Sequence, residues 1–192
     1  MATLTTTLLL PLILLSPPRM TGQQRLNVVW VSTPRDTWGD TADARAAIRA
    51  GLDWWQTLAD VSFETTESEL TTDTDVLALN VCRERAWLVD PQPLTLYVIA
   101  TSGDALMCDG VAVGDYNEGA WAIVWGNLIG DSPTDGATIA HTVAHLFGAA
   151  DTHAGQSGGP TYDIMDRAVY VAAYRSGYVA PLTWAATGAV PR

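Results

Sequence analysis

Between Arg25 and Thr33, apolar and β-branched residues crowd together (Leu26, Val28, Val29, Trp30, Val31) and stop at Pro34, the pattern of a first strand. The period then changes. Ala44, Ile48, Leu52, Trp55 and Ala59 recur at helical spacing, while Asp43, Arg45, Arg49 and Asp53 fall largely elsewhere. An amphipathic helix capped by Asp40 or Thr41 is therefore expected to run to about Ala59 and to lie on a sheet, its Trp54-Trp55 pair serving packing. Three further strands are expected over Val61 to Thr65, Asp75 to Val81 and Leu94 to Thr101. The last is apolar on both faces, as befits a strand covered on both sides.

Asp109 to Gly119 is glycine-rich and irregular, and Ala120 to Trp125 reads as another strand. Ser132-Pro133 offers an N-cap followed by proline at the first helical position. A second long helix then spans roughly Thr134 to Phe147, and Gly148 ends it. After a polar, glycine-rich loop from Asp151 to Gly159 comes Tyr162-Asp163-Ile164-Met165-Asp166, and then a final helix from Arg167 to Gly177. The order β-α-β-β-β-β-α with a small tail describes an α/β sandwich.

A length of 192 residues with 48% hydrophobic and 16% charged residues suits one folded domain with its own core. The net charge of -11 argues against nucleic acid, since the ten basic residues are all arginines and form no stripe. The apolar run Leu8 to Leu15 is far shorter than a bilayer span of about 20 residues, so no stable membrane span is expected. Its length suits a signal-peptide core, although no Lys or Arg precedes it. This divides the chain into a leader, residues 1–22, and a single domain, residues 23–192, of a secreted protein. The alternative is that Met20 is the true first residue. Cys82 and Cys108 form either one disulfide or two small buried hydrophobes, and they lack the close spacing of a thiolate zinc site.

All three histidines, His141, His145 and His153, lie within thirteen residues. Side chains four apart on a helix stand one above the other, so His141 and His145 point the same way and can grip one cation. Ile139, Val143, Leu146 and Phe147 fall on the opposite arc. That arrangement predicts an apolar back, a two-histidine front and a position at the floor of a cleft. Gly148 reverses the chain, so that Asp151 can return as a third ligand, with His153 as the alternative. A histidine pair of this kind is also compatible with two core histidines that hold no metal.

The segment His141-Thr142-Val143-Ala144-His145-Leu146-Phe147-Gly148-Ala149-Ala150-Asp151 resembles the zinc-binding pattern of the metzincin metalloproteases, in the secreted bacterial version with aspartate as third ligand. Met165, within Tyr162 to Asp166, stands where that family carries a methionine turn beneath the metal. The resemblance covers roughly Arg25 to Gly177. It implies a metzincin-like twisted mixed sheet of about five strands packed on two long helices. It also implies a zinc ion held by His141, His145 and Asp151, and a monomer with a cleft for a peptide or protein.

One departure bears on chemistry. The family's general base, a glutamate directly after the first histidine, is here Thr142, whose hydroxyl is no base near neutral pH. Ala144 also replaces the pattern's glycine, and Thr152-His153 follows the aspartate. Three substitute bases are conceivable: His153, Asp163 and Asp109. Tyr170 is a candidate to steady an oxyanion. The expected activity is impaired or lost peptide hydrolysis, and the alternative is an inactive, zinc-stabilised module that binds a peptide or protein.

Overall fold

The computed structural model describes residues 18–34, 37–72, 94–100, 121–125, 134–152, 163–166 and 169–192. Strand β1 (Gly22–Ser32) leads into helix α1 (Ala42–Leu58), followed by β2 (Val61–Thr71), β3 (Thr95–Ile99) and β4 (Trp121–Trp125). Helix α2 (Asp135–Leu146) follows, and two short helices close the chain, α3 (Tyr170–Ser176) and α4 (Pro181–Thr187). The strands lie in the order β2-β1-β3-β4, and every pairing is parallel.

Among the described residues the sheet thus has four strands, not about five, and it is parallel rather than mixed. The strand expected over Asp75 to Val81 lies outside the described residues, as do Cys82, Cys108, Asp109, Ser132 and His153. The two long helices are present, and α4 is an addition to the expected elements. No described helix is long and apolar enough to cross a membrane.

β3 is buried along its whole length, which its run of apolar residues on both faces requires at the centre of a parallel sheet. β1 alternates, burying Leu26, Val28 and Trp30. β2 continues to Thr71, six residues past its expected end, although its second half is polar and largely exposed. As the outer strand it needs only one partner, and pairing from Gly22↔Val61 to Ser32↔Thr71 supplies it. Side chains add to that pairing: Glu67 accepts from Trp30 Nε1 at 2.9 Å and from Arg45 Nη2 at 2.7 Å.

α1 buries Ala44, Ala47, Ile48, Gly51, Leu52 and Trp55, and it packs on α2. The two helices approach closely at Gly51: a Cβ there would sit 2.6 Å from Ile139 Cβ and 2.8 Å from the Gly136 carbonyl oxygen. Trp55 Nε1 donates to the Ala140 carbonyl at 2.8 Å, and Trp54 Nε1 donates to the Tyr174 carbonyl at 2.8 Å. Both tryptophans therefore serve packing, as expected. The contact holds α2 at a set height against α1, and α2 carries the histidines.

Candidate metal centre

The α2 sequence ends in a Schellman turn. Gly148 N–H donates to the His145 carbonyl at 3.0 Å and Ala149 N–H to the Ala144 carbonyl at 3.1 Å. Gly148 has φ of 98°, a conformation that side chains with a Cβ resist. The reversal brings Asp151 back over the helix end, as its spacing predicts.

There it meets both histidines. His141 Nε2 and His145 Nε2 are 3.2 Å apart, and Asp151 Oδ1 is 3.3 Å from each. The other ring nitrogens are tied to backbone: His141 Nδ1 to the Ile164 carbonyl at 2.8 Å and His145 Nδ1 to the Ala149 carbonyl at 2.8 Å. A carbonyl only accepts, so each Nδ1 carries the hydrogen, and in a neutral ring each Nε2 then presents a lone pair. Two such lone pairs and a carboxylate oxygen face one another across a triangle of 3.2 to 3.3 Å edges.

Three acceptors at that distance repel unless positive charge sits among them. A proton joins only two of them; a metal ion joins all three. For a tetrahedral ion with bonds of about 2.05 Å, neighbouring ligand atoms stand about 3.3 Å apart, whereas right-angled octahedral bonds of about 2.1 Å give about 3.0 Å. The observed edges match the tetrahedral case. Anchored Nδ1 atoms are also what metal-binding histidines require, since the hydrogen bond fixes ring orientation and tautomer.

The donors are largely enclosed. His141 is 4% and His145 5% exposed, and the Asp151 side chain 24%. Burial alone would raise the Asp151 carboxyl, but hydrogen bonds and positive charge from His141 and His145, when these carry a proton on Nε2, outweigh it and hold it well below the usual carboxylate range. Positive charge at this corner, proton or metal, therefore favours the anionic carboxylate. α2 is buried on nearly every side, its histidine face as well as its apolar arc. A groove of about 300 Å³ lies elsewhere, between α1 and β2, and neither histidine nor Asp151 lines it.

Met165, at the methionine position of the resemblance, is fully buried in the core. Its neighbours do the polar work: the Ile164 carbonyl anchors His141, and the Met165 carbonyl accepts from Thr152 N–H at 2.8 Å, beside Asp151. Tyr170 packs with its ring centroid 5.4 Å from that of His141, and its hydroxyl lies 3.3 Å from Thr138 Oγ1. Asp163 accepts three hydrogen bonds, from Ala180 N–H, Thr183 Oγ1 and Thr152 Oγ1. It is engaged in structure and does not stand ready as a base. Thr142 is fully buried, and its hydroxyl has no hydrogen-bond partner among the described residues.

The spacing of His141, His145 and Asp151 thus pointed to residues that do meet. The carbonyls of Ile164 and Ala149 were not foreseen, because a backbone acceptor leaves no mark in a sequence. The role of Asp163 was missed as well. Its one signal is a carboxylate directly ahead of the apolar pair Ile164 and Met165.

No protein family matches the sequence, and no curated protein matches it. Among solved structures, the chain is similar to one described as "Structure of a chaperone-substrate complex", with 16% sequence identity and a TM-score of 0.37 over 70% of this chain. The chain spans only 25% of that structure's length. A likeness this low informs neither fold nor function. The metzincin likeness therefore remains a resemblance carried by the residues themselves.

Proposed function

We propose that this chain is a zinc-binding protein of metzincin type in which peptide hydrolysis is strongly impaired or lost. The ion is retained in an enclosed centre of His141, His145 and Asp151. The single observation that carries the reading is the triangle of acceptor atoms with edges of 3.2 to 3.3 Å. Two imidazoles and one carboxylate suit zinc better than the hard, oxygen-seeking cations, and tetrahedral spacing favours it among the metals that accept such donors.

A bound zinc ion would supply a positive charge able to polarise a carbonyl. The protein's own residues would hold the ion and shield it. They offer no base at the position after His141, since Thr142 is a buried hydroxyl. Asp163, a conceivable substitute, is occupied by three donors. General acid-base help is worth about 10² to 10⁴-fold, so peptide cleavage should fall by that order. A role in holding a peptide or protein, in an exported protein, is consistent with the resemblance and with the apolar run Leu8 to Leu15.

Metal analysis of the purified full chain tests the first half: one equivalent of zinc is expected, lost in His141→Ala and His145→Ala. A chain that takes up no zinc from a buffered excess would end the reading. Peptide hydrolysis by the native chain and by Thr142→Glu tests the second half. The native chain should be slower by about 10² to 10⁴-fold, and equal rates would show that catalysis survived without the glutamate.

A further inference from the structure

One buried carboxylate outside the donor set connects to two of the three donors. Asp163 is 2% exposed and lies at the start of the turn that carries Ile164 and Met165. Its Oδ2 accepts from Thr183 Oγ1 at 2.7 Å and from Thr152 Oγ1 at 3.4 Å, and its Oδ1 accepts from Ala180 N–H at 3.1 Å. Its own carbonyl accepts from Asp166 N–H at 3.0 Å, closing the turn.

One of these bonds, and the chain itself, lead towards donors. Thr152 directly follows Asp151, and its N–H is bound to the Met165 carbonyl. Ile164 directly follows Asp163, and its carbonyl takes the His141 Nδ1 hydrogen. The bonds from Ala180 and Thr183 fasten the turn to the start of α4. A carboxylate in the interior is costly unless fully hydrogen-bonded, so its place here needs a cause beyond filling space. Holding the Asp151 segment and the acceptor of His141 in one frame is such a cause.

The geometry points to Asp163 as the positioning residue of the centre: through Thr152 and Ile164 it sets where Asp151 lies and how the His141 ring is turned. It touches no donor atom itself. The assignment rests on the metal reading for its purpose but not for its test. Groups bonded directly to the ligands typically alter metal affinity by about 10 to 100-fold; Asp163 stands one link further out, so Asp163→Asn should weaken binding by up to about tenfold.

The experiment titrates the full chain with Co²⁺, following visible absorption, for the native protein, Asp163→Asn, Thr183→Val and Leu52→Ala. The same four proteins, metal-free, are examined by ¹⁵N NMR for the tautomer of His141. Thr183→Val removes one bond to Asp163 and serves if Asp163→Asn does not fold. Leu52→Ala loosens the core away from the centre and controls for mere instability.

Weaker binding, an altered Co²⁺ spectrum and loss of the single Nδ1–H tautomer are expected in the Asp163 and Thr183 variants, the latter to a smaller degree. None of these changes is expected in Leu52→Ala. Unchanged affinity, spectrum and tautomer in both variants would overturn the assignment, whatever their melting temperatures. If the native chain takes no Co²⁺ but the tautomer shifts as stated, positioning stands and the metal reading fails.

Discussion

Thr142 is the residue on which the chemistry turns. A buried hydroxyl without a partner costs about 1 to 3 kcal/mol relative to a satisfied one, and Thr142 has none among the described residues. Valine has nearly the same shape and lacks the hydroxyl. Thr142→Val should therefore raise stability by up to about 1 kcal/mol in denaturant unfolding and leave zinc content unchanged. A loss of stability instead would mean that the hydroxyl has a partner in the folded protein. At this scale the donors were legible in the sequence, because four-residue spacing and a glycine turn dictate where His141, His145 and Asp151 lie. What fixes the rings is backbone, at Ile164 and Ala149, and no residue type announces it.

The fit of α1 against α2 sets the height of the histidines, and the two helices approach closely at Gly51. An alanine methyl there meets the branched Cβ of Ile139 and the Gly136 backbone, neither of which can swing aside. Overpacking of this kind costs about 1 to 3 kcal/mol. Gly51→Ala should lose that much in thermal or denaturant unfolding despite alanine's better helix propensity; a neutral result would mean that the helices are further apart. The period of α1 foretold its buried face correctly, since one side of that helix remains in water. For α2 the same logic pointed to a two-histidine front opposite an apolar arc, and both faces are buried. A polar stripe on a helix looks alike whether it meets solvent or a partnered polar cluster. β2 ran longer than its pattern for a related reason: Glu67, Ser68 and Glu69 carry no strand signal, but their backbone pairs with β1. α4 was readable in principle, with Pro181 at its first turn and Gly188 beyond its end.

Across the whole molecule, the centre links α2 to the C-terminal part through the turn of Asp163 to Asp166 and on to α4. Binding stabilises the folded state by about 2.7 kcal/mol when free metal is 100 times its Kd. Chelation should thus lower the melting temperature, and hydrogen exchange should quicken first at the amides of Ala149, Thr152 and Ala180. Those of the central strand β3 should stay protected. Uniform quickening would mean that the ion acts on the fold as one unit. The order of the described elements up to α3 was legible in the sequence, whereas the strand count was not. The sheet is specified by backbone pairing between segments far apart in the chain, and local patterns carry little of that.

One corner of the fold has a further consequence. Met20 N–H is bound to the Thr187 carbonyl, Asp60 N–H to the Val190 carbonyl and Arg192 N–H to the Leu58 carbonyl. Met20, just ahead of β1, and residues 187–192 thus lie together against the end of α1. A pull between residues 19 and 192 would load these few bonds one after another, like the teeth of a zip, before tension reached the sheet. The molecule should be mechanically soft along that line and far stiffer along its strands.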